Sequence, residues 1–315
     1  MPGFDDRNVI GLFQSRYEQL FQMNWARELS LYNPSSDRDT ETYGIFGGFP
    51  KMRQWIGARQ AQATAQASYN IRNLPYESTL VVNQRLLDRD KTGLLSAYVG
   101  NFAAGCVANH WEDLVVALVN ANGLCYDGQN AFDTDHALGS ETVMKNDVTA
   151  TEVPALDVTT TTNPTSIEWS AALAGLVAQM MTFTDDKGRF VNQTARKFAV
   201  AVSTVPLFTG LNAALTQQVQ TGTVDNILKG LWAAGYQFVP LFLPGLTSAT
   251  TKVRMFRMDG ELKPFILQQE QDIEYNLLGR GSDFYFENKS IKLGVDASRG
   301  AGYGLWEHMI QGTFS

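Results

Sequence analysis

Residues 60–71 (QAQATAQASYNI) alternate without a break between apolar and polar side chains. Ala61, Ala63, Ala65, Ala67, Tyr69 and Ile71 share one side; Gln60, Gln62, Thr64, Gln66, Ser68 and Asn70 share the other. A repeat of two belongs to a β-strand, whose successive side chains point to opposite faces. Alanine and glutamine favour helix on propensity, and here the period decides against propensity. Most of the apolar side is methyl groups. At ~25 cal/mol per Å² of apolar surface removed from water, such a face gains little in the core of one chain. Residues 76–82 (YESTLVV), following Pro75, read as a second strand, and the two make a hairpin. A hairpin with so thin an apolar face needs another surface to lie on.

The charge content points the same way. Only 18% of residues are charged, against ~25% in average soluble domains, so much uncharged surface has to be placed somewhere, and a large protein–protein interface is one such place. With 25 basic and 32 acidic side chains the net charge is -7, which argues against an electrostatic DNA binder. A chain of 315 residues suggests two domains at ~150 residues each. Cys106 and Cys125 cannot make a disulfide framework and fit a reducing cytosol. No apolar run approaches the ~18–20 residues of a membrane span, and the acidic start MPGFDDRN is no signal peptide.

Along the chain, residues 5–29 predict an amphipathic helix. Val9, Leu12, Phe13, Tyr17, Leu20, Phe21 and Trp25 recur at spacings of three and four. This stripe suits either the chain's own core or an arm on a neighbouring subunit. Residues 33–44 are polar and loop-like, and a short helix is expected from Pro50 to Gly57. The stretch 92–122 predicts one long helix, with Gly100 and Gly105 as weak points and Gly123 as its stop. Residues 137–166, rich in threonine and without aromatics, read as a surface loop or linker and the best domain boundary. Helix at 167–183, strand at 198–203, helix at 209–221 and strand at 236–244 predict an α/β unit. From Lys252 onward the chain reads as strands, FYFENK (284–289) among them.

Catalytic signatures are missing. None of the three histidines, His110, His136 and His308, sits in a nucleophile motif, and His110 reads as a packing or surface residue. The segment FDTDH groups Asp133, Asp135 and His136. These could hold a divalent metal, or Asp could hydrogen-bond a turn. The run GAGYG (300–304) is no dinucleotide fingerprint, and its alternative is a bulge or tight turn.

Four segments, TYGIFGGFPKMRQWIG (42–57), CYDGQNAFDTDH (125–136), KPFILQQ (263–269) and AGYGLW (301–306), resemble the major head subunit family of Mu-like phages in this order. Residues 137–260 depart most, and Ala137 stands where a proline is expected. The resemblance implies an α+β chain with the Hong Kong 97-type phage capsid fold. Its parts would be an N-arm (1–40), an E-loop (41–85), a discontinuous peripheral domain (86–164 and 256–315) whose spine helix lies at 92–122, and an axial domain (165–255).

The implied function is that of a major capsid protein forming the pentamers and hexamers of an icosahedral head around double-stranded DNA. It would be no enzyme and would take no cofactor. Its expected partners are further copies of itself, a scaffold protein, a portal and decoration proteins, with packaged DNA held without sequence-specific contacts and no membrane. Residues 1–40 are too few for a fused scaffolding domain, hence a separate scaffold. The expected location is the virion, after assembly in the bacterial host cytoplasm. Expected subunit-interface residues are Phe13, Tyr17, Phe21, Trp25, Phe49, Met52, Arg53, Trp55, Arg59 and Tyr69. The competing reading is a metal-dependent enzyme using Asp133, Asp135 and His136.

Overall fold

A computed structural model of the chain describes residues 6–46, 48, 66–89, 94–103, 108–137, 143–217, 219–220, 224–247 and 249–315. Helix α1 (Asp6–Gln22) and the single turn α2 (Trp25–Glu28) precede strands β1 (Ser30–Asn33), β2 (Thr40–Phe46), β3 (Gln66–Arg72) and β4 (Leu74–Asn83). Helices α3 (Gln84–Arg89), α4 (Leu94–Phe102) and α5 (His110–Ala121) follow. Then come β5 (Asp147–Val148), α6 (Ser166–Met181), β6 (Lys197–Val202), α7 (Val205–Thr216), β7 (Val219–Gln220), β8 (Val224–Asp225), α8 (Leu228–Ala233) and β9 (Gln237–Phe242). The order closes with β10 (Lys252–Arg257), β11 (Phe265–Leu278), α9 (Asp283–Asn288), β12 (Ser290–Tyr303) and β13 (Met309–Thr313).

Two compact units result, both discontinuous. One comprises residues 1–41, 71–115 and 266–302; the other comprises 42–70, 116–265 and 303–315.

In the first unit a four-stranded sheet runs β1-β11-β12-β4. Antiparallel pairing of β4 with β12 extends from Ser290↔Asn83 to Arg299↔Leu74. The alternation of β12 turns Leu293, Val295 and Ala297 inward, where they join Ile273 of β11, Phe13 and Tyr17 of α1, and Val99 and Phe102 of α4 in one core. The Phe13 ring lies 5.6 Å from Phe102 and 5.4 Å from Tyr275. On the other side of the sheet Glu77, Thr79 and Val81 remain exposed.

The helix expected over 5–29 is interrupted at Asn24. Its Oδ1 accepts from the Ala26 N–H at 2.9 Å, and its Nδ2 donates to the Ala108 carbonyl at 2.9 Å. A short amide side chain competes with the backbone ladder and starts a new turn. The expected hairpin of 60–71 with 76–82 is likewise corrected, because β3 pairs with β2 and β4 pairs with β12. Asn73, buried between the two strands, donates its backbone N–H to Asp39 and its Nδ2 to Ser36 Oγ and the Arg38 carbonyl, each at 2.8 Å. The polar stretch 33–44 accordingly contains the start of β2.

Across 92–122 the described residues form α4 and α5, with 104–107 outside the description. Asn122, left-handed at φ 44°, ends α5 one residue before the expected glycine. Gly123 donates its N–H to the Tyr303 hydroxyl at 2.7 Å, which in turn donates to the Leu118 carbonyl at 2.7 Å.

The second unit contains a five-stranded sheet ordered β5-β13-β10-β6-β9. Strand β6 runs parallel to β9 and antiparallel to β10, and its residues 198–202 are buried. Helix α6 opens with a capping box between Thr165 and Glu168 and buries Trp169, Leu173, Leu176, Val177 and Met180. The linker expected at 137–166 is instead packed into this unit. Val148, Val153, Leu156 and Val158 are buried, and Leu156 and Val158 exchange backbone hydrogen bonds with Ser315 at 3.1 and 3.0 Å. FYFENK, expected as a strand, is helix α9, whose start is capped by Ser282 Oγ accepting from the Tyr285 N–H at 3.2 Å.

Gly304 follows β12 where its backbone meets that of Lys263 and Pro264. A Cβ there would overlap the Lys263 carbonyl oxygen, which already accepts from Leu305 at 3.1 Å. Gly304→Ala is expected to destabilise the protein by about 1–3 kcal/mol, measured as a lower midpoint in urea denaturation.

Candidate functional site

The segment CYDGQNAFDTDH builds a buried polar centre in the second unit. Cys125 donates its N–H to the Gln129 carbonyl at 2.7 Å around Gly128, whose φ of 83° suits a residue without a Cβ. Asp133 acts as the turn reading expects, accepting from the backbone N–H groups of Thr134 at 2.7 Å and Asn130 at 3.2 Å. Asp135 is exposed and accepts from Gln129 Nε2 at 3.3 Å. His136 is buried and stacks on Trp306 at 4.1 Å and 6°. Its Nδ1 lies 2.6 Å from Asp127 Oδ2 and its Nε2 lies 3.2 Å from Asn146 Oδ1. Both ring nitrogens thus face protein oxygens, and neither lone pair is directed at space for an ion. Among the described residues no group of three or more His, Cys, Asp or Glu side chains is arranged to hold a metal.

The neighbouring turn Trp306–His308 adds two buried titratable side chains: Glu307, which the sequence does not single out, and His308, which it singles out only as lying in no nucleophile motif. The Tyr126 hydroxyl donates to Glu307 Oε2 at 2.6 Å, and Asn192 Nδ2 donates to the Glu307 carbonyl at 2.7 Å. Burial pushes the Glu307 carboxyl up to about 6. His308 is pushed down to about 3, first by burial and then by the Arg257 guanidinium, which lies 3.5 Å from its Nε2. Arg257 also donates to Asp259 at 2.9 Å and to Thr194 at 2.9 Å. The only sequence signal was a Glu–His pair inside an aromatic run. Burial also raises the Cys125 thiol far above its usual value, which leaves it protonated and a poor nucleophile.

Of the expected interface residues, Phe13 and Tyr17 are buried in the core of the first unit. Phe21 packs at the edge of that core, 5.7 Å from Tyr17 and 5.3 Å from Tyr32. Trp25 is half-buried. Tyr69 is half-buried, with its ring 6.4 Å from that of Tyr303. Phe49, Met52, Arg53, Trp55 and Arg59 lie outside the described residues, as does the helix expected over 50–57. His110 sits in a cleft of the first unit with Tyr76, Ser78 and Arg299, its ring 4.3 Å from that of Tyr76.

A sequence profile described as "Mu-like prophage major head subunit gpT" matches residues 10–165. Over those residues the chain is similar to the Mu-like major head subunit family. The major capsid protein of Escherichia phage Mu is 28% identical over 104 residues, 32% of this chain and 34% of that protein. The Mu-like prophage FluMu major head subunit of Haemophilus influenzae is 31% identical over 105 residues, 32% of this chain and 33% of that protein. The similarity thus spans about a third of the length of these relatives. Among solved structures, the capsid of cyanophage P-SCSP1u matches with a TM-score of 0.57 at 13% identity, over 91% of this chain and 86% of that one. The fold is that of phage capsid proteins, the Hong Kong 97 type. The family match takes in the segments at 42–57 and 125–136, so the polar centre is built partly from family sequence.

Two predictions follow from this centre. His136→Ala leaves Asp127, 2% exposed, without its partner, and is expected to cost about 3 kcal/mol, while a chelator leaves the wild-type melt unchanged; a chelator-induced shift would contradict the structural role. The second concerns pH. The raised Glu307 value favours a protonated folded state, so its stabilisation is lost as pH rises from about 4.5 towards about 6. The lowered His308 value favours a neutral folded state, so its contribution is lost as pH falls from 6.5 towards about 3. The two slopes oppose one another between pH ~4.5 and ~6. Glu307→Gln is expected to lose about 2 kcal/mol relative to wild type on acidification across that window, read by urea denaturation at both pH values.

Proposed function

We propose that this chain is the major capsid protein of a tailed phage or prophage. Copies assemble as pentamers and hexamers into an icosahedral head around double-stranded DNA, and the chain acts as a building unit rather than an enzyme. The observation that carries this reading is the family match of residues 10–165 on a chain with the capsid fold. The metal-dependent alternative is not carried forward, since His136 is engaged by Asp127 and Asn146.

In this reading residues 1–40 are the N-arm, 41–85 the E-loop, 86–164 with 256–315 the peripheral domain, and 165–255 the axial domain. The thin apolar face of 60–71 then has a burial partner, namely a neighbouring copy. Each contact can be weak, because many act together in a closed shell. A net charge of -7 suits a container that holds DNA without gripping it. A separate scaffold, a portal and decoration proteins are the further partners, with assembly in the host cytoplasm and residence in the virion.

Expressed with the scaffold of its own phage, the protein is expected to sediment as large particles that appear as closed shells in electron micrographs. A monomer under every condition, scaffold included, contradicts the proposal.

A further inference from the structure

The β11–β12 end of the first unit's sheet carries an exposed aromatic tip with charges of both signs, Asp283 and Glu287 on α9 and Lys289 and Lys292 just after it. Helix α9 has no buried residue, and its Phe286 is 79% exposed, with Leu278 and Val81 also exposed at 44% and 52%. The Lys289 ammonium lies 5.4 and 5.6 Å from the Tyr285 and Phe286 ring centres, and that of Lys292 lies 4.6 Å from Phe284. Among the described residues neither lysine forms an ion pair. An exposed aromatic anchor with two lysines beside it has the make-up of a contact centre.

The same sheet carries the complementary charge on its open face. Glu77 of β4 and Asp296 of β12 stand directly opposite one another in the register, and Glu274 is exposed on β11. Like charges directly opposite across an antiparallel pair repel. Each accepts from a neutral donor: Thr79 Oγ1 donates to Glu77 at 3.1 Å, and Asn276 Nδ2 donates to Asp296 at 2.8 Å. Lys292 and Asp296 are four residues apart on one strand, or ~13 Å at ~3.3 Å per residue. That separation exceeds the reach of an ion pair, so Lys292 and Asp296 of one copy do not meet.

We propose that the α9 tip of one copy docks on the acidic sheet face of a second copy, with Phe286 as the apolar anchor and Lys289 and Lys292 meeting Glu77 and Asp296. The two patches differ, so the contact is head-to-tail. Such contacts close into rings when the rotation permits, as pentamers and hexamers require; the inference rests on the capsid reading in that respect.

The test is charge exchange, with assembly read by sedimentation at ~0.1 M salt, where surface charges still act over ~10 Å. Lys289→Glu/Lys292→Glu and Glu77→Lys/Asp296→Lys are each expected to lower the particle yield roughly tenfold, and the fourfold combination to restore most of it. Retained thermal melts check that the subunits fold. Phe286→Ser is expected to lower the yield without rescue by the combination. Independently, Phe286→Cys/Thr79→Cys particles are expected to give a ladder of disulfide-linked subunits on oxidation. Normal assembly of both charge pairs, a combination worse than either pair, or monomer only after oxidation overturns the contact while leaving the capsid reading intact. Failure of the wild type to assemble at all overturns both.

Discussion

A guanidinium buried to 1% exposure holds the first unit together. Arg299 comes from β12, lies 4.4 Å from the Trp111 ring centre at the start of α5, and donates to the Tyr17 hydroxyl of α1 and to His110 Nδ1, both at 3.4 Å. Removing such a charge from water costs several kcal/mol, and arginine has no neutral form to fall back on. The cost is offset by an aromatic face, worth ~2 kcal/mol or more when desolvated, and by hydrogen bonds from a fixed planar fork. Helix α1 therefore cannot leave the sheet without stranding the guanidinium. The same requirement explains the broad aromatic stripe of that helix: Phe13, Tyr17 and Phe21 close the apolar and π-rich surroundings that make the buried charge tolerable.

Once α1 is spent on its own unit, the surfaces left for other copies are different ones. Among the described residues strand β3 pairs with β2 in a two-stranded sheet, which is marginal by itself in water. The α9 tip leaves Phe286 79% exposed. Both are thin or exposed by the standards of a folded core and reasonable by the standards of an interface repeated many times. The polar centre of the second unit is arranged in the opposite way, with Glu307, Asn192 and Asn146 turned inward and hydrogen-bonded. Hydrogen bonds in a buried setting narrow the choice of packing arrangement.

Much of this was legible in the sequence where a period was strong and local. The alternation at 60–71 is a strand over its described part, from Gln66 on, that at Ile291, Leu293 and Val295 lies in β12, and the run at 167–183 is helix α6. Alternation names a face and not a partner, which is why β3 was expected beside β4 and is found beside β2. The threonine-rich stretch concealed its buried residues because Val148, Val153, Leu156 and Val158 follow no repeat. Three aromatics in FYFENK suggested a strand, yet the Ser282 cap shows a local hydrogen bond deciding a six-residue segment. Whether the aromatic stripe of α1 faced inward or towards a neighbour was undecidable from spacing, because the deciding group, Arg299, lies 282 residues beyond Tyr17.

The central claim is that surfaces without a partner in one chain are the ones that meet other copies. Amide hydrogen exchange on free subunits and on assembled particles tests it most directly. The account predicts slower exchange in particles at β2, β3 and α9, with α1 unchanged because it is already packed. Added protection confined to α1, with β3 and α9 exchanging as in the free subunit, would contradict it.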